Sequence, residues 1–501
     1  MSAARTGSRR VGAVAFVAAL LAGGCVPGGQ VGSAGSLSTV QTPASFDTPL
    51  PIPPLAPSTV VGGVRVFTLT AQEGTSELVP GIQTPTWGYS GDVLGPTLRA
   101  TRGEQVAVEV RNTLDEATTV HWHGMHLPAR MDGGPHQSVD PGTTWRPTWT
   151  VDQPAATLWY HPHPHGRTEE HVYRGLAGMF LVDDPEPSGL PDQYGVDDVP
   201  VIVQDKRLDA DGRLVLESNG NEVGLLGSTV LTNGVAGAVQ EVTTERVRLR
   251  LLNGSTARVY DFAFDDDRAF VHVATDGGLL PDPYETDHVR LSPGERAEIV
   301  VALDAGAETM LVSRAPDLGD VAAPFAFGGT DAFPVLRLRA AERLIPSPPV
   351  PERFEVAAAD TVIARDAAVT RSFELQDRSI NGRTMDMDRI DEVVRLGDTE
   401  IWEVTNRDLF PHNWHVHDVQ FEVLDLDGSP PPLELRGRKD TIYLEPRRTY
   451  RLVMRFEDYA DPRTPYMIHC HLLLHEDEGL MAQFVVTDDG RAAGTVASHD
   501  H

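Results

Sequence analysis

A chain of 501 residues is too long for a single hydrophobic core and predicts two to four domains. Its formal net charge of −30 argues against nucleic-acid binding, which needs a basic face, and only weakly favours cationic substrates. Short alternating runs such as residues 104–110 and 245–252, frequent glycine and proline, and the lack of a long amphipathic helix predict an all-β chain of sandwiches.

The N-terminus has the pattern of an export signal. Arginines precede an apolar run over residues 11–22 that is too short to span a bilayer, so residues 1–24 are predicted to be a signal peptide. Arg9 and Arg10 suggest twin-arginine export as an alternative to the general route. The sequence LAGGC predicts a lipid anchor at Cys25, and hence a cell-envelope lipoprotein that meets the membrane only through that anchor. An ordinary signal peptide cut nearby, giving a secreted or periplasmic protein, stays open.

Composition divides the rest of the chain into blocks. A stretch rich in Pro, Gly and Ser over residues 25–60 predicts a flexible tether. Breaks rich in Pro, Asp or Glu at residues 183–200 and 343–354 separate three blocks, each long enough for one β-sandwich. The predicted domains cover residues 61–186, 187–346 and 347–488, and a disordered tail covers 489–501.

Histidines are concentrated in four short stretches, two in the first block and two in the last. The stretches are HWHGMH (121–126), WYHPHPHGRTEEH (159–171), HNWHVH (412–417) and HCHLLLH (469–475). Each contains a His-x-His pair, whose members point to the same face of a strand. Eight imidazoles from four strands suit a small cluster of metal ions, and imidazole alone leaves copper, zinc, iron and nickel open. The middle block has no such pattern.

Cys470 narrows the choice of metal. It lies between His469 and His471, so its side chain points to the opposite face of the same strand. With His412 and His475 it can supply one thiolate and two imidazoles, the ligand set of a blue-copper site. Two sites on opposite faces of one strand are joined through bonds, so the pattern predicts single-electron transfer between them.

The four histidine stretches and the His-Cys-His motif resemble those of three-domain bacterial multicopper oxidases, of the laccase and copper-efflux-oxidase kind. The sequences GPTLRATRGEQVAVEVRNTL, RLLNGSTARVYDFAF and LSPGERAEIVV resemble the same family, and the likeness runs from about residue 61 to 488. The resemblance implies three consecutive cupredoxin-like Greek-key β-sandwich domains. It also implies four copper ions: one type 1, one type 2 and a type 3 pair.

The resemblance assigns each ligand by its position. It implies that His412, Cys470 and His475 bind the type 1 copper and that His121 and His415 bind the type 2 copper. The type 3 ligands that it implies are His123, His161, His163, His417, His469 and His471. By contrast, His126, His136, His165 and His171 are expected to be surface histidines or to support the ligands.

Some positions near these ligands depart from the family pattern. Leu480 stands where the family often has an axial methionine, which implies a higher type 1 potential, and a slip of one residue would bring Met481 there instead. Asn413 and Asp418 replace the proline and glycine of the usual His-Pro-x-His-x-His-Gly motif. Neither replacement removes a ligand, so a change in local loop geometry is expected.

The resemblance implies an oxidase that couples four one-electron oxidations at the type 1 copper to reduction of O2 to two waters at the trinuclear cluster. Asp132 and Glu476 match family acids that help to deliver protons, and orientation of ligand imidazoles is the alternative role. Cuprous oxidases of the family often carry a methionine-rich insert near the type 1 site. Here methionines are few, with one Met-x-Met pair at Met385 and Met387, so the resemblance favours laccase-like oxidation of phenols and aromatic amines.

Three alternatives to that function remain. The first is a metallo-oxidase acting on cuprous, ferrous or manganous ions in copper tolerance, which the acidic composition mildly favours. The second is a copper nitrite reductase, which lacks an eight-imidazole cluster. The third is a non-catalytic relative that has lost its copper, although every expected ligand except the optional axial methionine is present.

Overall fold

The computed structural model describes residues 43, 45–217, 220–355, 362, 364–491 and 496. The predicted signal peptide, Cys25 and most of the predicted tail lie outside these residues. Within the described part of the chain, no helix is long and apolar enough to cross a membrane. Strands dominate the structure, which confirms the predicted all-β class.

The chain up to Asp183 builds the first pair of sheets and supplies its first strand, Thr48–Pro49, to the middle pair. The strands are β1 (Thr48–Pro49), β2 (Ser58–Val61), β3 (Val64–Val79), β4 (Ile82–Tyr89), β5 (Leu98–Thr101), β6 (Gln105–Asn112), β7 (His121–His123), β8 (Thr144–Trp145), β9 (Thr148–Thr150), β10 (Ala156–His161) and β11 (Gly178–Asp183), with helix α1 (Thr168–Arg174) before β11. One sheet has the order β2-β3-β6-β8, with β4 and β9 at its sides, and the other has the order β5-β11-β10-β7. Phe67, Val108, Trp122 and Phe180 lie in the apolar core between them.

The middle pair of sheets begins at Asp198. Its strands are β12 (Asp198–Lys206), β13 (Thr229–Thr232), β14 (Ala238–Thr244), β15 (Arg246–Asn253), β16 (Tyr260–Phe264), β17 (Phe270–Thr275), β18 (Gly278–Thr286), β19 (His288–Leu291), β20 (Arg296–Ala302), β21 (Glu308–Arg314) and β22 (Phe333–Ile345). The orders are β1-β14-β22-β21-β16-β19 and β13-β12-β15-β20-β17-β18. Val201, Leu249, Phe262 and Ile299 lie in the shared core.

The last pair of sheets begins at Ala367. Its strands are β23 (Ala367–Gln376), β24 (Ser379–Ile380), β25 (Glu392–Arg395), β26 (Thr399–Asn406), β27 (His412–Val416), β28 (Phe421–Leu426), β29 (Arg438–Lys439), β30 (Thr441–Leu444), β31 (Thr449–Arg455), β32 (Tyr466–His469) and β33 (Met481–Thr487), with helix α2 (Leu473–Asp477) before β33. The orders are β24-β23-β26-β31-β28-β29 and β25-β33-β32-β27-β30. Short 3-10 helices occur at Ala129–Met131, Pro324–Phe327, Ala364–Asp366 and Leu433–Leu435.

The prediction of a flexible tether over residues 25–60 is wrong for its last part. β1 pairs with β14 of the middle sandwich, and β2 pairs with β3 of the first. Phe46 and Leu50 are buried, at 5% and 7% exposure. Burial of these two apolar side chains and the strand hydrogen bonds hold this segment against the sandwiches, although its composition is that of a linker.

Candidate metal centre

Strand pairing brings the four His-x-His pairs together. In the first sandwich, β7 and β10 are antiparallel neighbours, so His121 stands opposite His161. In the last sandwich, β27 and β32 are antiparallel neighbours, so His415 stands opposite His469. His121 Nε2 lies 3.4 Å from His415 Nε2, so the pairs of the two sandwiches meet in one buried place.

The eight imidazoles form three compact groups, two of which share His123. The groups are His121, His123 and His415; His123, His161 and His471; and His163, His417 and His469. The closest ring nitrogens within them lie 3.2–3.4 Å apart. Two nitrogens bound to one tetrahedral ion at about 2.0–2.1 Å would be about 3.3 Å apart. Each group therefore has the spacing of a single-ion site.

The protonation of these histidines also suits a metal. Burial, reinforced by neighbouring imidazoles, lowers the pKa of five of them well below the usual value. These are His123, His161, His415, His417 and His471. Both ring nitrogens of His471 are buried without a hydrogen-bond partner among the described residues. Neutral imidazole is the form that binds a metal, so the cluster is suited to hold ions.

Asp132 contacts two of these ligands from outside the cluster. Its Oδ2 lies 2.7 Å from Nδ1 of His417, and its backbone carbonyl lies 3.1 Å from Nδ1 of His121. Both contacts leave the Nε2 atoms of the rings facing the cluster. Asp132 is 1% exposed, so water does not compete for these contacts.

Glu476 has the same relation to another two ligands. Its two carboxylate oxygens lie 3.2 Å from Nδ1 of His163 and 3.2 Å from Nδ1 of His469. A carboxylate in this position fixes the tautomer and orientation of an imidazole ligand. The structure therefore places each predicted acid in contact with the Nδ1 atoms of predicted ligands.

Asp440 and Arg296 support the cluster from positions that the sequence analysis missed. Asp440 Oδ1 lies 3.0 Å from His123 Nε2, and its backbone carbonyl lies 2.8 Å from His415 Nδ1. Arg296, at the start of β20 in the middle sandwich, donates to both Asp440 oxygens at 2.7 and 2.6 Å. Both side chains are fully buried. The one available signal was a pair of charged residues, Arg296 and Glu298, in a strand whose other residues are apolar.

A second group of ligands surrounds Cys470, directly after β32. Its Sγ lies 3.7 Å from His412 Nδ1 and 3.4 Å from His475 Nδ1, and these nitrogens are 3.0 Å apart. All three side chains are fully buried. Burial raises the pKa of the Cys470 thiol to about 12, so a bound metal ion is needed to form the thiolate.

The outer nitrogens of the two imidazoles beside Cys470 are held as well. His412 Nε2 lies 2.9 Å from Asp408 Oδ2, and His475 Nε2 lies 2.7 Å from the backbone carbonyl of Glu222, in the loop between β12 and β13. Sequence analysis missed both acceptors. A backbone carbonyl leaves no trace in a sequence, and Asp408 stands in no recognisable motif.

Comparison with known proteins identifies the family. Multicopper oxidase domain models match residues 70–187 and 349–490. The multicopper oxidase mco of Staphylococcus haemolyticus is 35% identical over 432 residues, which cover 85% of this chain and 89% of that protein. The chain belongs to the multicopper oxidase family. It is thereby placed among the copper-dependent oxidoreductases.

The chain is also similar to a cell division protein and to a solved multi-copper oxidase structure. The cell division protein FtsP of Escherichia coli is 33% identical and covers 90% of this chain, with 96% of its own length matched. A multi-copper oxidase structure from Pediococcus acidilactici has a TM-score of 0.81 at 33% identity and covers 92% of this chain and 96% of its own.

Two further similar structures are those of a laccase-like enzyme and a metallo-oxidase. A laccase-like multi-copper oxidase of Ochrobactrum sp., with activity towards lignin model compounds and lignosulfonate, has a TM-score of 0.80 at 34% identity, over 88% of this chain and all of its own. The multicopper oxidase of Campylobacter jejuni, a metallo-oxidase, has a TM-score of 0.77 at 26% identity, over 91% of this chain and 99% of its own. These likenesses confirm the predicted cupredoxin-like sandwiches in a three-domain arrangement.

The ligand side chains of this multicopper oxidase fit copper. One group offers a thiol and two imidazoles, and the other offers eight imidazoles, both of which are donor sets that copper accepts. All eleven predicted ligands lie in these two groups. His126, His136, His165 and His171, which were not predicted as ligands, lie outside them.

Leu480, directly before β33, lies on the Cys470 side of the sheet. Met481, the first residue of β33, lies on the other side. Leu480 shares an apolar cluster with Cys470, whose N–H donates to the Leu480 carbonyl at 3.1 Å. Met481 stands opposite His469 in the register of β32 and β33, so its side chain lies on the His469 face. Leu480 is therefore the residue of the two that would lie beside a metal ion held by Cys470, His412 and His475.

Replacement of Leu480 by methionine is expected to lower the type 1 reduction potential. A thioether near the copper stabilises the oxidised ion, and we expect about a tenfold change in the one-electron equilibrium, equal to 59 mV. A redox titration of the blue absorption band measures it. Met481→Leu is the matched control and should leave the potential unchanged. A changed potential in Met481→Leu together with an unchanged one in Leu480→Met would show that Met481, and not Leu480, lies beside the copper.

The replacement of the family's glycine by Asp418 is explained by a contact between sandwiches. Asp418 has a φ of 70°, in the left-handed region that favours glycine. Its Oδ1 lies 2.8 Å from Nδ1 of His126, and Asp458 lies 3.3 Å from the other ring nitrogen. Burial opposes protonation of His126, but the two aspartates outweigh it and raise its pKa to about 10. The local change in the loop therefore comes with an ion pair to the first sandwich.

Proposed function

We propose that the protein is an oxidase in which the Cys470 site takes single electrons from a reducing substrate and the histidine cluster is the place of oxygen reduction. One type 1, one type 2 and two type 3 copper ions would occupy the sites. The observation that carries the proposal is the placement of Cys470 in one ligand group and of its neighbours His469 and His471 in the other. Copper, when bound, supplies the redox chemistry.

The protein's own contribution is a short covalent link between the two groups. Covalent bonds run from Cys470 Sγ through the backbone to the neighbouring residues His469 and His471, whose imidazoles belong to the histidine cluster. A copper-storage protein has no need of such a link. The complete ligand set also favours an oxidase over a non-catalytic relative, and a role in cell division is stated only for the FtsP relatives.

Asp132 and Glu476 are proposed to supply protons as well as to orient ligands. Reduction of one O2 to two waters takes four electrons and four protons, so buried acids beside the cluster have a function. Asp132 Oδ1 forms no hydrogen bond among the described residues and lies 3.4 Å from His121 Nδ1, so it is placed to pass a proton towards the cluster.

Asp132→Asn and Glu476→Gln are expected to slow oxygen reduction by about 10–100-fold. This is the usual effect of removing a group that hydrogen-bonds to a metal ligand. If the acids also deliver protons, turnover becomes more sensitive to replacement of water by heavy water, while the copper content stays that of the wild type. Turnover at the wild-type rate would refute both roles. Loss of copper without a change in the isotope effect would leave orientation as the sole role.

Phenols and aromatic amines are the proposed substrates. The small number of methionines and the likeness to the Ochrobactrum enzyme support this proposal.

Oxidation of metal ions is the second candidate. Asp408, which is 9% exposed and contacts His412, supports it because a carboxylate attracts a cation to the type 1 site. The likeness to the Campylobacter enzyme supports it as well.

Oxygen uptake by the copper-loaded protein separates the two candidates. A methoxyphenol and cuprous ion are compared under the same conditions, with Cys470→Ser as the control. Fast uptake with the phenol and no added copper supports the laccase-like function. Saturable uptake with cuprous ion, and phenol turnover only when copper is added, would support the metallo-oxidase instead.

We also propose export with a lipid anchor at Cys25, with a secreted or periplasmic protein as the alternative. The proposal rests on the sequence of residues 1–25. Labelling of cells with a radioactive fatty acid tests it, since the wild type should carry the label and Cys25→Ala should not. An unlabelled wild-type protein would support the alternative.

A further inference from the structure

Asn413 stands where the family motif usually has a proline, and its backbone N–H reaches the sulfur of the type 1 site. The nitrogen lies 3.2 Å from Cys470 Sγ. Proline has no N–H, so a chain with the usual motif cannot form this hydrogen bond. The replacement therefore adds a donor beside the thiolate without changing any ligand.

The surroundings of this hydrogen bond exclude water. Asn413 and Cys470 are both fully buried. Solvent therefore does not compete with the Asn413 N–H for the sulfur. A hydrogen bond from an uncharged donor to a charged acceptor is stronger than one between neutral groups, and more so in a dry interior.

The side chain of Asn413 holds the residue in place. Its Nδ2 donates to the carbonyl of Pro293 in the middle sandwich at 3.0 Å. The next residue, Gly294, approaches a cluster ligand so closely that a Cβ there would lie 3.1 Å from the ring of His471. Asn413 is thus fixed between the last sandwich and a turn that itself packs on the cluster.

We infer that Asn413 is a positioning residue that raises the reduction potential of the type 1 copper through its N–H···S hydrogen bond. The inference rests on the proposed function, because it requires copper at Cys470. Electron donation by the thiolate sulfur stabilises the oxidised ion more than the reduced ion. A hydrogen bond that withdraws electron density from this sulfur therefore favours the reduced ion.

Two variants at one position separate the backbone donor from the side chain. Asn413→Pro removes the N–H and the amide, whereas Asn413→Ala removes the amide alone. In Asn413→Pro we expect the type 1 one-electron equilibrium to shift by about threefold to tenfold towards the oxidised ion, at most 59 mV. The blue charge-transfer band should change in position as well. In Asn413→Ala both should stay close to the wild-type values.

The potential is read by redox titration of the blue band on the copper-loaded full chain. Equal shifts in both variants, or no shift in Asn413→Pro, would overturn the inference. If Asn413→Pro does not fold, Asn413→Pro/Asp418→Gly restores the family's usual motif, and Asp418→Gly alone is its reference. A wild type without a blue copper site would overturn the proposed function. A blue wild type whose potential is insensitive to Asn413→Pro would overturn this inference alone.

Discussion

Replacement of Cys470 by serine is expected to abolish the blue absorption and to lower oxygen uptake with any reducing substrate by more than about a hundredfold. This loss exceeds the 10–100-fold effect typical of outer partners of a ligand, because serine offers no thiolate and a type 1 site requires one. The variant keeps all eight imidazoles of the cluster. It should therefore lose one copper ion per chain while the others remain bound.

Oxygen uptake and copper content measured on the same sample test this expectation. His165→Ala is the matched control, since His165 lies in the second histidine stretch but is exposed and outside both ligand groups. This control should keep the wild-type rate and copper content. A Cys470→Ser protein with wild-type turnover would show that electrons enter by another route.

Replacement of Arg296 by methionine is expected to lower the free energy of unfolding by about 3–5 kcal/mol, the usual cost of breaking a buried ion pair. The change leaves the carboxylate of Asp440 buried without its main cation. Because Asp440 also contacts His123, the copper content should fall in parallel. Denaturant unfolding of the copper-free protein measures stability apart from metal binding.

A double variant tests the reason for that loss of stability. Asn at position 440 keeps a carbonyl oxygen for His123 but carries no charge, so Arg296→Met/Asp440→Asn should regain part of the stability that Arg296→Met loses. Arg343→Met removes an exposed arginine in β22 of the same sandwich and should leave the unfolding midpoint unchanged. Additive effects of the two single changes would show that the ion pair is not what stabilises this region.

The sequence predicted which histidines would lie together because their spacing is local. The two-residue period of an extended chain predicts which side chains share a face. It served here although His163, His417, Cys470 and His471 lie just beyond the ends of their strands. The same reasoning could not predict the contacts of Asp440, Arg296 or the carbonyl of Glu222. These contacts join residues that are far apart in the sequence, and the spacing of neighbouring residues gives no information about them.

Composition was a weaker guide than periodicity. Residues 25–60 have the composition of a linker, yet strand pairing and the burial of Phe46 and Leu50 bind the last part of this segment to the sandwiches. The choice between Leu480 and Met481 shows a related limit. It depends on the register of β32 and β33, which a sequence does not fix to one residue.

The ratio of oxygen consumed to donor oxidised tests the central claim most directly. With a one-electron donor and copper-loaded protein, the two linked ligand groups predict one O2 consumed for every four donor molecules and no accumulation of hydrogen peroxide. One O2 for every two donor molecules, with peroxide released, would contradict the claim that the histidine cluster completes the reduction to water.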